Sequence, residues 1–150
     1  LLGDAAKGWF AVWLIQRLGL AYGAGILDVA VVAFAVFIGH VLPIFLGFKG
    51  GKGVSTAAGV LLGLDLWIGL AVGAAWIFVA IVWRYSSLAS IIAAISAPLF
   101  TFYFLGADAR LAAVTLVALV LVLRHRENIG RLVAGAESRI GQSKTGSGKV

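Results

Sequence analysis

The sequence contains no cysteine, which excludes disulfides, thiolate nucleophiles and Cys-ligated metal centres. It has no methionine and only two histidines, His40 and His125, so no metal site is expected either. Charge is scarce: 12% of residues are Asp, Glu, Lys or Arg, about half the share of an ordinary soluble domain. What fills the chain instead is apolar, 62% of its 150 residues, with a mean hydropathy of +1.08. That leaves too little polar surface to coat a soluble domain. The class is therefore all-α, a multi-pass transmembrane helical bundle. Continuous rather than alternating apolar stretches argue against a β-barrel. The net charge of +6 would suggest a nucleic-acid partner in a soluble protein, but here it reads as a topology signal. No nucleic acid and no protein partner is expected. Asp4 and Lys7 stand where the apolar stretch of a signal peptide would begin, so none is visible. The chain starts on Leu1 and is read as a truncated or processed form.

Apolar segments fall at about 5–18, 27–46, 54–63, 65–83, 88–105 and 110–124. Six spans are expected, although the first, third and last are short of the roughly 20 residues a crossing needs. The stretch 54–83 reads as one long helix or two short ones. A lone Asp65 at mid-bilayer depth would cost about 2.5 kcal/mol or more, which favours a turn at Gly63–Asp65. Six crossings put Lys7, Lys49, Lys52, Arg84 and every basic residue from Arg124 onward on one face, ten of the 12 Lys and Arg residues. Only Arg17 and Arg110 face the other side. The bias assigns the basic face and both chain ends to the cytoplasm. Residues 1–141 form one transmembrane domain, and 142–150 are expected to be a disordered tail.

Three clusters on the basic face carry chemistry. In Gly47-Phe-Lys-Gly-Gly-Lys-Gly-Val-Ser-Thr56, Gly50, Gly51 and Gly53 surround Lys52 and let backbone N–H groups approach an anion. A helix starting near Val54 would aim its positive dipole end at the same point. The spacing does not match a Walker A loop. The alternative is a basic, lipid-facing turn. In Arg84-Tyr-Ser-Ser-Leu-Ala-Ser90, Ser86 or Ser87 caps the next helix, or Ser87 and Ser90 hold a second anion. In Arg124-His-Arg-Glu-Asn-Ile-Gly-Arg131 and on to Glu137, a helix would place Arg124, Asn128 and Arg131 on one face. Its second stripe, Ile129, Leu132, Val133, Ala136 and Ile140, would suit an interface with anionic membrane lipid. Cations flanking His125 should favour its neutral form, able to orient a hydroxyl. His40, one turn before Pro43, suits a structural hydrogen bond to another helix. Asp4 and Lys7 suit an ion pair.

Taken in order, Gly47–Thr56, Arg84–Ser90 and Arg124–Glu137 resemble the bacterial acyl-phosphate:glycerol-3-phosphate acyltransferases of phospholipid synthesis. Asp4-Ala-Ala-Lys-Gly8 is similar to that family's second span. The resemblance covers nearly the whole chain and implies a seven-span fold in the bacterial inner membrane, of which this chain would lack the first span and first motif. Ala136 and Ser138 stand where the family usually has Thr and Pro. The implied reaction joins the acyl group of an acyl phosphate to the 1-hydroxyl of sn-glycerol 3-phosphate, with no cofactor. The donor is already activated, so no Ser or Cys nucleophile is needed. On this reading, Gly50, Gly51, Lys52 and Gly53 bind glycerol 3-phosphate. Ser87 and Ser90 hold the acyl-phosphate head, and His125 and Asn128 orient the hydroxyl. Arg131 is counted with the substrate-binding residues and with Glu137 shapes the C-terminal segment, while His40 and Glu137 are structural near the site. The rival reading is an anion or phosphate transporter or channel, which would want polar groups deep in the spans.

Overall fold

The computed structural model describes residues 1–42 and 51–142, and all of its regular structure there is helical. The helices are α1 (Leu2–Leu18), α2 (Ile26–Val41), α3 (Val54–Leu64), α4 (Leu66–Trp83), α5 (Ser86–Leu105), α6 (Ala109–Arg124) and α7 (Arg126–Val133), with a 3-10 turn at Gly19–Tyr22. Gly50 and residues 143–150 of the tail lie outside the described residues.

The breaks follow local chemistry. The stretch 54–83 divides where Asp65 enters extended backbone and its carboxylate accepts hydrogen bonds from the Trp67 and Ile68 amides at 2.8 and 3.2 Å. These are donors the first turn of α4 would otherwise leave unmatched. Asp108 starts α6 the same way, accepting from the Arg110 amide at 2.8 Å, and it also pairs with the Arg110 guanidinium. The α5 start departs from expectation. Its cap position is Tyr85, with no side-chain cap, and Ser86 and Ser87 already lie inside the helix. Neither serine is spent on capping.

Helices α1, α3, α4, α5, α6 and α2 contact one another in that order, and α2 returns to α1. Small residues line the inside, among them Ala33, Ala57, Ala89, Ala93 and Ala97, while Trp67, Phe78, Ile81, Leu99 and Tyr103 project outward. Such an outward apolar surface suits lipid, where packing rather than hydrophobic burial joins helices. The tightest crossing is α1 on α3. A Cβ added at Gly59 would collide with the Ala5 backbone, and one at Gly8 with the Thr56 carbonyl. Helices α4 and α5 are long and apolar enough to cross a bilayer. The 11 residues of α3 reach only about 16 Å, half a hydrocarbon core.

Among the described residues, basic groups collect at one end of the bundle, and Lys49, Lys144 and Lys149 lie outside those residues. Lys7 of α1 bonds to His40 of α2 at 2.7 Å, and Arg124 of α6 to the Gly51 carbonyl at 3.3 Å. Lys52 bonds to Asn128 of α7 at 2.5 Å. Lys7 also holds Asp4 at 2.8 Å.

Candidate active site

A cavity of about 830 Å³ lies between α3, α4, α5 and α6 and reaches the basic end of the bundle. Lys52, Ser87, His125, Asn128 and Glu137 rim it, and its deeper walls are apolar.

The amino ends of α3 and α5 both face this mouth, so two sets of unmatched backbone N–H groups and two positive dipole ends serve one small volume. Gly53 makes the first possible. It precedes Val54 in a left-handed conformation (φ +84°), and a Cβ there would strike the Phe37 ring and Val41. Only glycine suits both demands. Gly51 is less constrained, since its nearest neighbour would be His40 Nε2 at 3.4 Å.

Four side chains form a continuous hydrogen-bonded chain across the rim. The Lys52 ammonium donates to Asn128 Oδ1 at 2.5 Å, Asn128 Nδ2 donates to Glu137 Oε1 at 2.6 Å, and Arg131 Nε donates to Glu137 Oε2 at 2.6 Å. Both ends of the Asn128 amide are therefore engaged by protein groups. Burial of the Glu137 carboxyl works to raise its pKa. Ser87, Asn128 and Arg131 outweigh that and hold it at about 2. The buried Ser87 hydroxyl faces the Glu137 carboxylate and helps to hold it ionised, with no other partner among the described residues. Ser90 differs. Its hydroxyl donates to the Ser86 carbonyl at 2.9 Å and accepts from Trp76 Nε1 at 3.1 Å, linking α5 to α4.

His125 sits at the kink between α6 and α7, 2% exposed. Its Nδ1–H donates to the Leu121 carbonyl at 2.8 Å, since a carbonyl can only accept. That leaves Nε2 as the acceptor nitrogen. Burial lowers the imidazole pKa below 6.5, and the Lys52 charge lowers it further. The Leu121 bond and Glu137 partly oppose them. The neutral form expected from the sequence thus arises mainly from burial, and the cation involved is Lys52 rather than the flanking arginines. The same kink corrects the single-helix reading of 124–140. Arg124 ends α6, α7 stops at Val133, and Ala136 and Ile140 lie beyond it.

A strap of chain after α7, unforeseen in the sequence, returns to the α4–α5 turn. The Ile140 amide donates to the Arg84 carbonyl at 2.6 Å, and the Arg84 guanidinium to the Ile140 carbonyl at 2.8 Å. Arg139 Nε donates to the Tyr85 hydroxyl at 3.1 Å, with its guanidinium 5.4 Å from the ring centroid. Arg84 takes up left-handed backbone (φ 60°) to do this. Glu137 is thereby held over the mouth.

The family described as glycerol-3-phosphate acyltransferase matches residues 1–135. The glycerol-3-phosphate acyltransferase of Cupriavidus pinatubonensis is 53% identical over 96% of this chain and 71% of its own length. That of Ralstonia pickettii is 52% identical over 96% and 70%. Among solved structures, the lysophosphatidic acid form of PlsY (YgiH), an integral membrane glycerol 3-phosphate acyltransferase, superposes with a TM-score of 0.84 at 37% identity, covering 92% of this chain and 69% of that one. Its glycerol 3-phosphate form has the same TM-score and covers 68% of that chain. The chain belongs to the family of membrane-integral glycerol-3-phosphate acyltransferases.

Proposed function

We propose that the cavity transfers an acyl group from an acyl phosphate to the 1-hydroxyl of sn-glycerol 3-phosphate. The observation that carries this reading is the cavity itself, an apolar channel along α4 and α5 whose mouth gathers Lys52, His125, Ser87 and two helix amino ends. A long acyl chain fits the channel and two phosphate groups fit the mouth.

The hydroxyl oxygen attacks the acyl carbonyl carbon, forming the ester C–O bond. The bond from that carbon to the phosphate oxygen breaks, and phosphate leaves with the electron pair. His125 Nε2 accepts the hydrogen bond of the attacking hydroxyl and aims its lone pair. The proton ends on the departing phosphate, a base in its own right. Lys52, with the Gly51–Gly53 backbone and the start of α3, holds glycerol 3-phosphate. Gly50 belongs to the same proposal by sequence. Ser87, whose buried hydroxyl faces Glu137 at the mouth, binds the acyl-phosphate head with the start of α5. Ser90 steadies that wall through Trp76. Asn128 acts through Lys52, Arg131 through Glu137, and His40 through Lys7. The products are lysophosphatidic acid and phosphate.

A transporter would want charged or polar groups along the deep walls, and below Ser90 the described lining is apolar. Membranes carrying the protein should form lysophosphatidic acid from acyl phosphate and glycerol 3-phosphate, and vesicles should take up no phosphate. Uptake without turnover overturns the reading. In the bacterial inner membrane the basic face would point to the cytoplasm, a reading the positive-inside rule supports. With no native cysteine, labelling of a Gln142→Cys variant by a membrane-impermeant maleimide tests this. It should react only after the inner face is opened.

A further inference from the structure

We propose that Gly73 sets the length of acyl chain the cavity accepts, an inference that rests on reading the cavity as the acyl-donor site. The polar end of the cavity is marked by Ser87, 7% exposed and facing Glu137. From there the lining of α5 continues through Ser90 and Ala93 to Ala97, about 15 Å of helix. Opposite runs α4. Its Trp76 is fixed to Ser90 by the 3.1 Å indole bond, so the wall at that level is a large, anchored ring.

One turn deeper the wall changes. Gly73 lines the cavity, and a Cβ built on it would meet nothing within 4 Å. Gly69, a further turn down, also lines the cavity, but a Cβ there would run into Leu62. That glycine serves the close approach of α3 and α4. Gly73 serves no such packing, and its missing side chain leaves passage beyond Trp76. It lies about 16 Å along α4 from Arg84, so a short chain ends before it and a long chain must pass it. Any larger residue there shortens the channel.

The test uses the protein in membranes with decanoyl, myristoyl and palmitoyl phosphate as donors at saturating glycerol 3-phosphate. For Gly73→Leu, kcat/KM for palmitoyl relative to decanoyl phosphate should fall about tenfold or more, with KM for glycerol 3-phosphate unchanged. Gly73→Val, with a smaller side chain, gives a second reading of the same ratio should the leucine variant fold poorly. Ala74→Leu, at an exposed position on the same helix, should leave the chain-length profile intact. An unchanged ratio in both Gly73 variants, or an equal loss with all donors, overturns the assignment. Absence of turnover by the unmodified protein with every acyl phosphate overturns the donor reading and this proposal with it.

Discussion

Lys52 Nζ stands 2.5 Å from Asn128 Oδ1 across 76 residues of sequence, and that bond ties the amino end of α3 to α7. Asn128 passes the connection on to Glu137 at 2.6 Å, so the cation of the mouth is positioned by an amide that is itself positioned by a carboxylate. A group held this way needs little reorganisation when charge develops beside it.

Lys52→Ala should lower kcat/KM for acyl transfer by about 100-fold. Asn128→Ala leaves Lys52 in place but removes its tether, and it strips Glu137 of one donor. A loss of about tenfold is expected there, from one charge-assisted hydrogen bond. Steady-state kinetics on both variants checks the ordering. Equal losses would mean that Asn128 touches substrate directly.

His125 is held neutral chiefly by burial, with Lys52 adding to the effect. Activity that needs Nε2 as an acceptor should be constant above pH 6.5 and fall as the imidazole protonates, with a midpoint below that value. Glu137 raises the same pKa, so Glu137→Gln should move the midpoint further down. A pH profile of kcat/KM in the two proteins reads both directions.

Glu137 has its pKa depressed from 4.5 to about 2. A depressed carboxyl stabilises the folded form above its unfolded value, and that stabilisation fades as pH falls through the folded value. The melting temperature of the detergent-solubilised protein should therefore exceed that of Glu137→Gln by a constant margin above pH 4.5. The margin should shrink as pH falls from 4.5 through 2, below which glutamic acid and glutamine carry the same charge.

Gly53→Ala places a Cβ against Phe37 and Val41 at φ +84°. The left-handed backbone alone costs about 1–2 kcal/mol, and the contacts add to it. Thermal unfolding should show a clear loss for Gly53→Ala and little change for Gly51→Ala, whose Cβ approaches only His40 Nε2.

Much of the bundle was legible in the chain. Runs of apolar residues broken at Asp65 and Arg84 marked helices, because a charge in hydrocarbon is costly. The turn at Asp65 followed from that cost, and charge placement agreed with it, because two crossings put Lys49, Lys52 and Arg84 on one side. Less legible was anything that depended on chain segments meeting. The segment 124–140 looked like one helix by its spacing, yet it breaks at His125 because that side chain turns inward to bond the Leu121 carbonyl. Ser86 and Ser87 had the composition of caps, and the structure instead puts both inside α5.

The sequence by itself determined that this protein lives among lipids, that it folds into helices with a Gly-rich basic loop before the third, and that its positive charge collects at one end. Those are consequences of transfer energy and helix periodicity, which act locally. Only the tertiary structure decided that Lys52, Asn128, Glu137 and Arg131 form one chain, that burial sets the state of His125, that a strap from Arg84 to Ile140 holds Glu137 at the mouth, and that an apolar channel leads inward past Gly73. Each of these rests on groups brought together from different helices. Burial and contact are properties of the assembled bundle, and no local pattern encodes them.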